Sequence, residues 1–213
     1  MRQNRLLLLL CSLFAIILIP SNVFAKQEVT NLKQTIDDEI NVFSSADGYE
    51  EYVNQLKSID LGDYSDSKDK VNVYLFRGSS CSHCFDAVVY FANIAKEYGQ
   101  YFNLKAYEVW QNEDNSNLMK NVADKLGDEV NGVPYIVIGK KTWSGFTDSY
   151  GEEMKKEIKE QYDKDSSKRY DIMKHINSKE SSSTSSDVIA LIVILLVVGA
   201  ITGGIVVARK KAA

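Results

Sequence analysis

Cys81 and Cys84 stand in the segment Gly78-Ser79-Ser80-Cys81-Ser82-His83-Cys84-Phe85. Two thiols at this spacing can close a short ring, which is what thiol–disulfide exchange requires. One thiolate attacks a disulfide sulfur, and the second expels the resulting mixed disulfide. The attacking group must be ionised near neutral pH, so its surroundings must favour the thiolate. The pair lies where a β-branched and aromatic run, Val71 to Phe76, gives way to a helical pattern from Cys84 to Tyr98. A helix N-terminus offers unpaired N–H groups and a partial positive charge, both of which stabilise a thiolate at Cys81. His83 adds a cation or an N–H donor beside it, favouring the reduced form and making the disulfide more oxidising.

Other chemistries fit the pair less well. A structural zinc site wants four ligands, and outside this segment the chain offers only Cys11 and His175 as further Cys or His. Haem attachment would place His directly after the second cysteine, where Phe85 stands. A purely structural disulfide would close so small a loop that it restrains little chain. Neither a metal nor another cofactor is expected.

The elements that must position the pair follow from periodicity. Glu39 to Phe43 reads as a short strand, and Asp47 to Ile59 carries apolar residues at helical spacing. After Val71 to Phe76, the expected central strand, comes a helix from Cys84 to Tyr98 ended by Gly99. Leu104 to Trp110 alternates as a strand, and Ser116 to Leu126 is a helix closed by Gly127. Tyr135 to Ile138 and Thr142 to Phe146 flank Gly139-Lys140-Lys141 as a hairpin, and Tyr150 to Tyr162 is an amphipathic last helix. Strand–helix alternation implies a largely parallel sheet covered on both faces, with an antiparallel edge from the hairpin. Trp110 and Trp143 are expected to pack at strand ends, and the charged run 152–160 reads as a solvated helix face.

Outside the signal-like N-terminus, the only proline is Pro134, in Asn131-Gly132-Val133-Pro134-Tyr135-Ile136. It opens a strand, a position that needs no ladder N–H, and a cis bond is one reason to keep it there. Cys-x-x-Cys at a strand-to-helix junction, about 50 residues ahead of Gly-Val-Pro, a hairpin and a last helix, resembles the thioredoxin superfamily over residues 38–163. The resemblance implies an α/β thioredoxin fold, a central mixed sheet flanked by helices. It implies that Cys81 is the exposed attacking cysteine, Cys84 the buried resolving one, and Pro134 a cis-proline beside them. Val133 would pair through its backbone with an extended substrate segment. Ser82-His83 is similar to the Pro-His of bacterial disulfide-forming oxidases rather than the Gly-Pro of reducing thioredoxins. The chain departs from the family in two places. Ser80 stands where thioredoxins carry Trp, and Leu75 where the family carries a buried acid that helps move the resolving thiol's proton. Glu108 and Asp86 are the nearest carboxylates that sequence suggests for that task, with Asp86 also reading as a first-turn helix acid.

Composition places the domain. The chain has 213 residues, 45% of them apolar, enough for one core and too ordinary for disorder throughout. Arg2 and Arg5 precede a 14-residue apolar run from Leu6 to Ile19, and small or apolar Val23 and Ala25 follow. This pattern describes a secretory signal peptide over 1–25, with an uncleaved signal anchor as the alternative; Cys11 would leave with it. Residues 26–37 read as an extension and 164–187 as a polar stalk, which includes the low-complexity tract 178–186. Val188 to Ala208 is 21 residues without a charge, followed by Arg209, Lys210 and Lys211. That is the length of one transmembrane helix, with the basic tail 209–213 on the cytoplasmic side. Without the flanking basic residues the outer part holds 20 basic against 29 acidic residues, a balance of −9 that argues against nucleic acid as a partner.

Together these readings predict a membrane-tethered thiol–disulfide oxidoreductase exchanging disulfides with exported, cysteine-containing proteins and recharged by a redox partner. A redox-inert binding module on the same scaffold is the alternative. The outer face of a bacterial cytoplasmic membrane is the expected home. The endoplasmic reticulum membrane is the alternative, which the terminal lysines allow and the lack of any Asn-x-Ser/Thr sequon disfavours.

Overall fold

The computed structural model describes residues 28–176. It is an α/β structure built on one five-stranded mixed sheet flanked by helices. In chain order the elements are β1 (Val29–Thr30), α1 (Leu32–Ser44), α2 (Glu50–Ser58), β2 (Val71–Arg77), α3 (Ser82–Tyr98), β3 (Phe102–Glu108), α4 (Glu113–Leu126), β4 (Tyr135–Ile138), β5 (Lys141–Ser144) and α5 (Asp148–Tyr162). Across the sheet the strands run β1-β3-β2-β4-β5. β2 and β3 are parallel, with Arg77 beside Glu108 at their carboxyl ends, and every other neighbouring pair is antiparallel. The expectation of a largely parallel sheet is therefore corrected: only the α3 crossover returns the chain in the same direction, and β1, β4 and β5 oppose their neighbours.

Alternation along β2 divides its side chains between two cores. Val71, Val73 and Leu75 face a layer formed by α1, α2, α3 and α5, where Leu104, Phe85, Phe91, Ile136 and Met154 are wholly or almost wholly buried. Tyr74 and Phe76 face the other side and pack with Leu118, Met119 and Val122 of α4 and with Tyr135. A strand buried on both faces reads as a continuous apolar run, which is why Val71 to Phe76 was legible as the central strand. β4, also buried throughout, shows the same composition.

Glu39 to Phe43 is not a strand; it is the second half of α1. The alternation of Ile40 and Val42 imitates a strand, but the buried residues Leu32, Thr35, Ile36, Glu39 and Phe43 recur at helical spacing. The start of the helix is fixed by a capping box. Asn31 Oδ1 accepts from the Gln34 N–H at 3.0 Å, and Gln34 Oε1 accepts from the Asn31 N–H at 3.0 Å. The ordered unit also reaches past 38–163 at both ends. β1 pairs with β3 through Val29 and Thr30, and Ile172 is wholly buried in the α4-side core.

Among the described residues no helix is long and apolar enough to cross a membrane. The signal segment 1–25, the tract 178–186, the span 188–208 and the basic tail lie outside the described residues.

Because the cap fixes where α1 begins, Asn31→Ala should lower the unfolding free energy by about 1 kcal/mol in urea titrations, whereas Asn31→Asp should leave it nearly unchanged. Equal losses from both substitutions would contradict the cap.

Candidate active site

β2 ends at Arg77, and the next residues, Gly78 to Ser80, carry the chain over the top of the sheet into α3. The helix begins at Ser82 with Cys81 as its N-cap, earlier than the Cys84 start expected from apolar periodicity. Periodicity detects the buried face, and the helix opens with two exposed polar residues, Ser82 and His83. Cys81 has extended backbone, and its sulfur accepts the Cys84 N–H at 3.2 Å. A sulfur thus occupies the place that a Ser or Asp oxygen takes at an ordinary N-cap. Ser80, directly before it, adopts φ 61°, a left-handed conformation that costs a non-glycine residue free energy and is held by the turn on either side.

Cys81 and Cys84 are joined as a disulfide, with Cα atoms 5.2 Å apart. Their exposures differ sharply. Cys84 is fully buried, and its sulfur lies 3.5 Å from the Gly78 N–H. Cys81 is half-buried and reaches the surface. An attacking nucleophile from another molecule can approach Cys81 but not Cys84.

Pro134 opens β4, and the Val133–Pro134 peptide bond is cis. The Pro134 carbonyl accepts from the Gly145 N–H at 2.7 Å, so the β4–β5 pairing continues one step past Tyr135. Val133 lies just beyond, and its carbonyl oxygen is 4.0 Å from Cys81 Sγ. Cys81, Cys84, Val133 and Pro134 are therefore brought together. His83 is less engaged: its side chain is 72% exposed, with Nδ1 3.8 Å from the Asp86 carboxylate. Partial burial pushes the Asp86 carboxyl up from its ordinary range, the facing His83 draws it down and Asp148 raises it further.

Glu108 does not serve as a free acceptor. Its Oε1 accepts the N–H groups of Ser79 at 3.2 Å and Trp110 at 2.9 Å, and its Oε2 accepts that of Gln111 at 2.8 Å. One carboxylate thereby ties the exit of β2 to the exit of β3. Asn115, fully buried at the start of α4, donates to the Glu108 carbonyl at 2.9 Å and fixes the same corner.

Sequence reasoning missed the acid that is buried nearby. Arg77, 3% exposed, places Nη1 2.8 Å from Glu39 Oε1 and Nη2 3.1 Å from Asp38 Oδ2. Glu39 is fully buried, and its Oε2 has no hydrogen-bond partner among the described residues. Burial pushes the Glu39 carboxyl up to about 7, against the pull of Arg77. The desolvation cost prevails because only one of its oxygens meets a donor. Reading α1 as a strand concealed this residue, whereas a charged residue on the buried stripe of a helix would have flagged it. Among the described residues no group of three or more His, Cys, Asp or Glu side chains is arranged to hold a metal ion.

A carboxyl whose folded value lies above the unfolded one, about 4.3, favours folding fully below that pH. That contribution declines as pH rises through about 7 and is flat beyond. Urea midpoints should therefore show a component that falls between pH 4.5 and 7.5, at most on the order of 3 kcal/mol, and Glu39→Gln should remove it. Parallel pH profiles for the two proteins would contradict the buried acid. No family model, no curated protein and no solved structure matches the chain.

Proposed function

We propose that the chain is a thiol–disulfide oxidoreductase of thioredoxin-like fold, held at a membrane by its C-terminal apolar segment and acting on exported proteins. One observation carries the reading: an accessible sulfur caps a helix N-terminus while its partner sulfur is fully buried one turn on. A structural disulfide has no need of that asymmetry, whereas exchange depends on it. The strand–turn–helix entry to the pair, the cis-proline at the start of β4 and the β4–β5–α5 ending supply the arrangement that the family resemblance implies.

The chemistry balances without a cofactor. In the oxidising direction a client thiolate attacks Cys81 Sγ, forming a mixed disulfide and releasing Cys84 as a thiolate. A second client thiol then loses its proton and attacks the client sulfur of the mixed disulfide. Cys81 leaves as a thiolate stabilised by the α3 N-terminus. The client loses two electrons and two protons overall, and the pair gains two electrons. In the reducing direction the Cys81 thiolate attacks a client disulfide and one client sulfur leaves as a thiolate. The Cys84 thiol then loses its proton and attacks Cys81 Sγ, releasing the second client thiolate, so the client gains the two electrons that the pair loses. The backbone of Val133, just beyond the sheet ladder, holds the client segment extended across Cys81 by strand addition. His83, exposed beside the pair, tunes the balance between its two states. A redox partner on the same side of the membrane recharges the pair.

Cys81→Ser should abolish exchange, and Cys84→Ser should accumulate mixed disulfides with exported proteins, resolvable on non-reducing gels and cleared by reductant. If neither variant changes the oxidation state of any exported protein, the reading fails. The direction follows from the potential of the pair, about −270 mV for a reductant and about −120 mV for an oxidant.

A further inference from the structure

We propose that the exposed indole of Trp110, laid on Gly78 at the end of the sheet that carries Cys81 and Val133, receives a lysine or arginine side chain next to the client's cysteine. The proposal rests on the oxidoreductase reading and names the class of client segment that the site takes.

Trp110 was expected to pack away at a strand end, yet it is 57% exposed. It is exposed without being loose. A Cβ built on Gly78 would come within 2.3 Å of Cδ2 and Cε2 and 2.6 Å of Cε3 of the indole, so one ring face lies flat on that glycine. Any side chain at position 78 would displace the indole. The Trp110 backbone N–H donates to Glu108 Oε1, the oxygen that also accepts the Ser79 backbone N–H. The backbone at Trp110 is thereby tied to the loop that carries the cysteines, and the indole rests against Gly78 while more than half of the residue stays exposed.

Its position borders the path of a client. Gly78 donates toward Cys84 Sγ at 3.5 Å. Phe76 pairs with Tyr135 in the antiparallel β2–β4 ladder, so the chain leaving β2 at Gly78 and the chain entering β4 at Val133 lie at the same end of the sheet. The indole, against Gly78, therefore stands at the end of the sheet where the Val133 carbonyl is 4.0 Å from Cys81 Sγ. A segment lying extended on Val133 with its cysteine at Cys81 passes a side chain over this ring.

Charge selects which side chain. The face of an indole is the negative end of its quadrupole and attracts a guanidinium or ammonium group. The chain around Trp110 is acidic: Glu108 holds its backbone N–H, and Glu113 and Asp114 follow in the first turn of α4. The cation of this corner, Arg77, is buried and engaged by Glu39 and Asp38. A basic client residue meets both the π face and these acids, an acidic one is repelled, and a purely apolar one gains only the ring.

The test uses the full chain in detergent and three cysteine peptides that differ only in the residue flanking the cysteine: Arg, Leu or Glu. Rates of thiol exchange with the oxidised protein should rank Arg above Leu above Glu, with the spread narrowing as salt rises. Trp110→Ala should cut the Arg-over-Leu ratio by about two- to fivefold, and Trp110→Phe should retain part of it. Each variant's peptide rates are expressed relative to its own exchange with dithiothreitol, so that any general change in the pair divides out and only the preference among peptides is read. Equal rates for the Arg and Leu peptides in the unmodified protein would overturn the proposal. An equal slowing of all peptides and of dithiothreitol by Trp110→Ala would do the same, because it would assign Trp110 a structural task only. Failure of the unmodified protein to exchange with any thiol, dithiothreitol included, would overturn the oxidoreductase reading itself.

Discussion

The hydrogen bond from the Cys84 N–H to Cys81 Sγ, 3.2 Å long, gathers most of the structure around it. It exists because the chain turns from β2 into α3 within a few residues, and because the N-cap of that helix is a cysteine. The same contact has two consequences. It gives the sulfur an N–H donor and the field of a 17-residue helix. It also sets the second cysteine on the first turn, facing back into the core. Burial then separates the two: the Cys81 sulfur reaches the surface, and the Cys84 sulfur is enclosed.

Holding that geometry is the task of the surrounding sheet. β2 is buried on both faces and hydrogen-bonded on both edges, so its exit is fixed in space. The Glu108 carboxylate then binds the cysteine loop to the neighbouring strand exit, and Gly78 lets an indole close over it. Beneath the same loop, Arg77 sits buried between a half-exposed carboxylate and an enclosed one. Such a pair adds little net stability, because desolvation consumes most of the attraction. Its interest lies in Glu39, whose proton is held to near neutral pH within the layer that packs against α3.

Much of this was legible in the residues. The central strand, the cysteine helix, β3, α4, the hairpin and α5 announced themselves through apolar periodicity, because each buries one face or both. The Cys-x-x-Cys pair and Val133-Pro134 stood out in the sequence by type and spacing, and the fold brings them side by side. What escaped has physical reasons. Glu39 to Phe43 alternates over five residues and only longer windows reveal its helical stripe, so the buried acid went unseen. The direction of β1 and β4 depends on how loops return, which periodicity does not encode. Trp110 looked like core because tryptophan usually is; its exposure follows from a glycine in another strand's exit, 32 positions earlier in the chain. The task of Glu108 as a clamp on three backbone N–H groups likewise depends on two loops meeting.

The account stands on the ionisation of Cys81, and alkylation of the reduced protein as a function of pH measures it. A sulfur stabilised at the start of α3 should reach half its maximal rate at least one pH unit below the value of about 8.5 for free cysteine. A midpoint at or above 8.5 would mean that the helix confers no stabilisation on the thiolate, and the functional assignment would lose its physical basis.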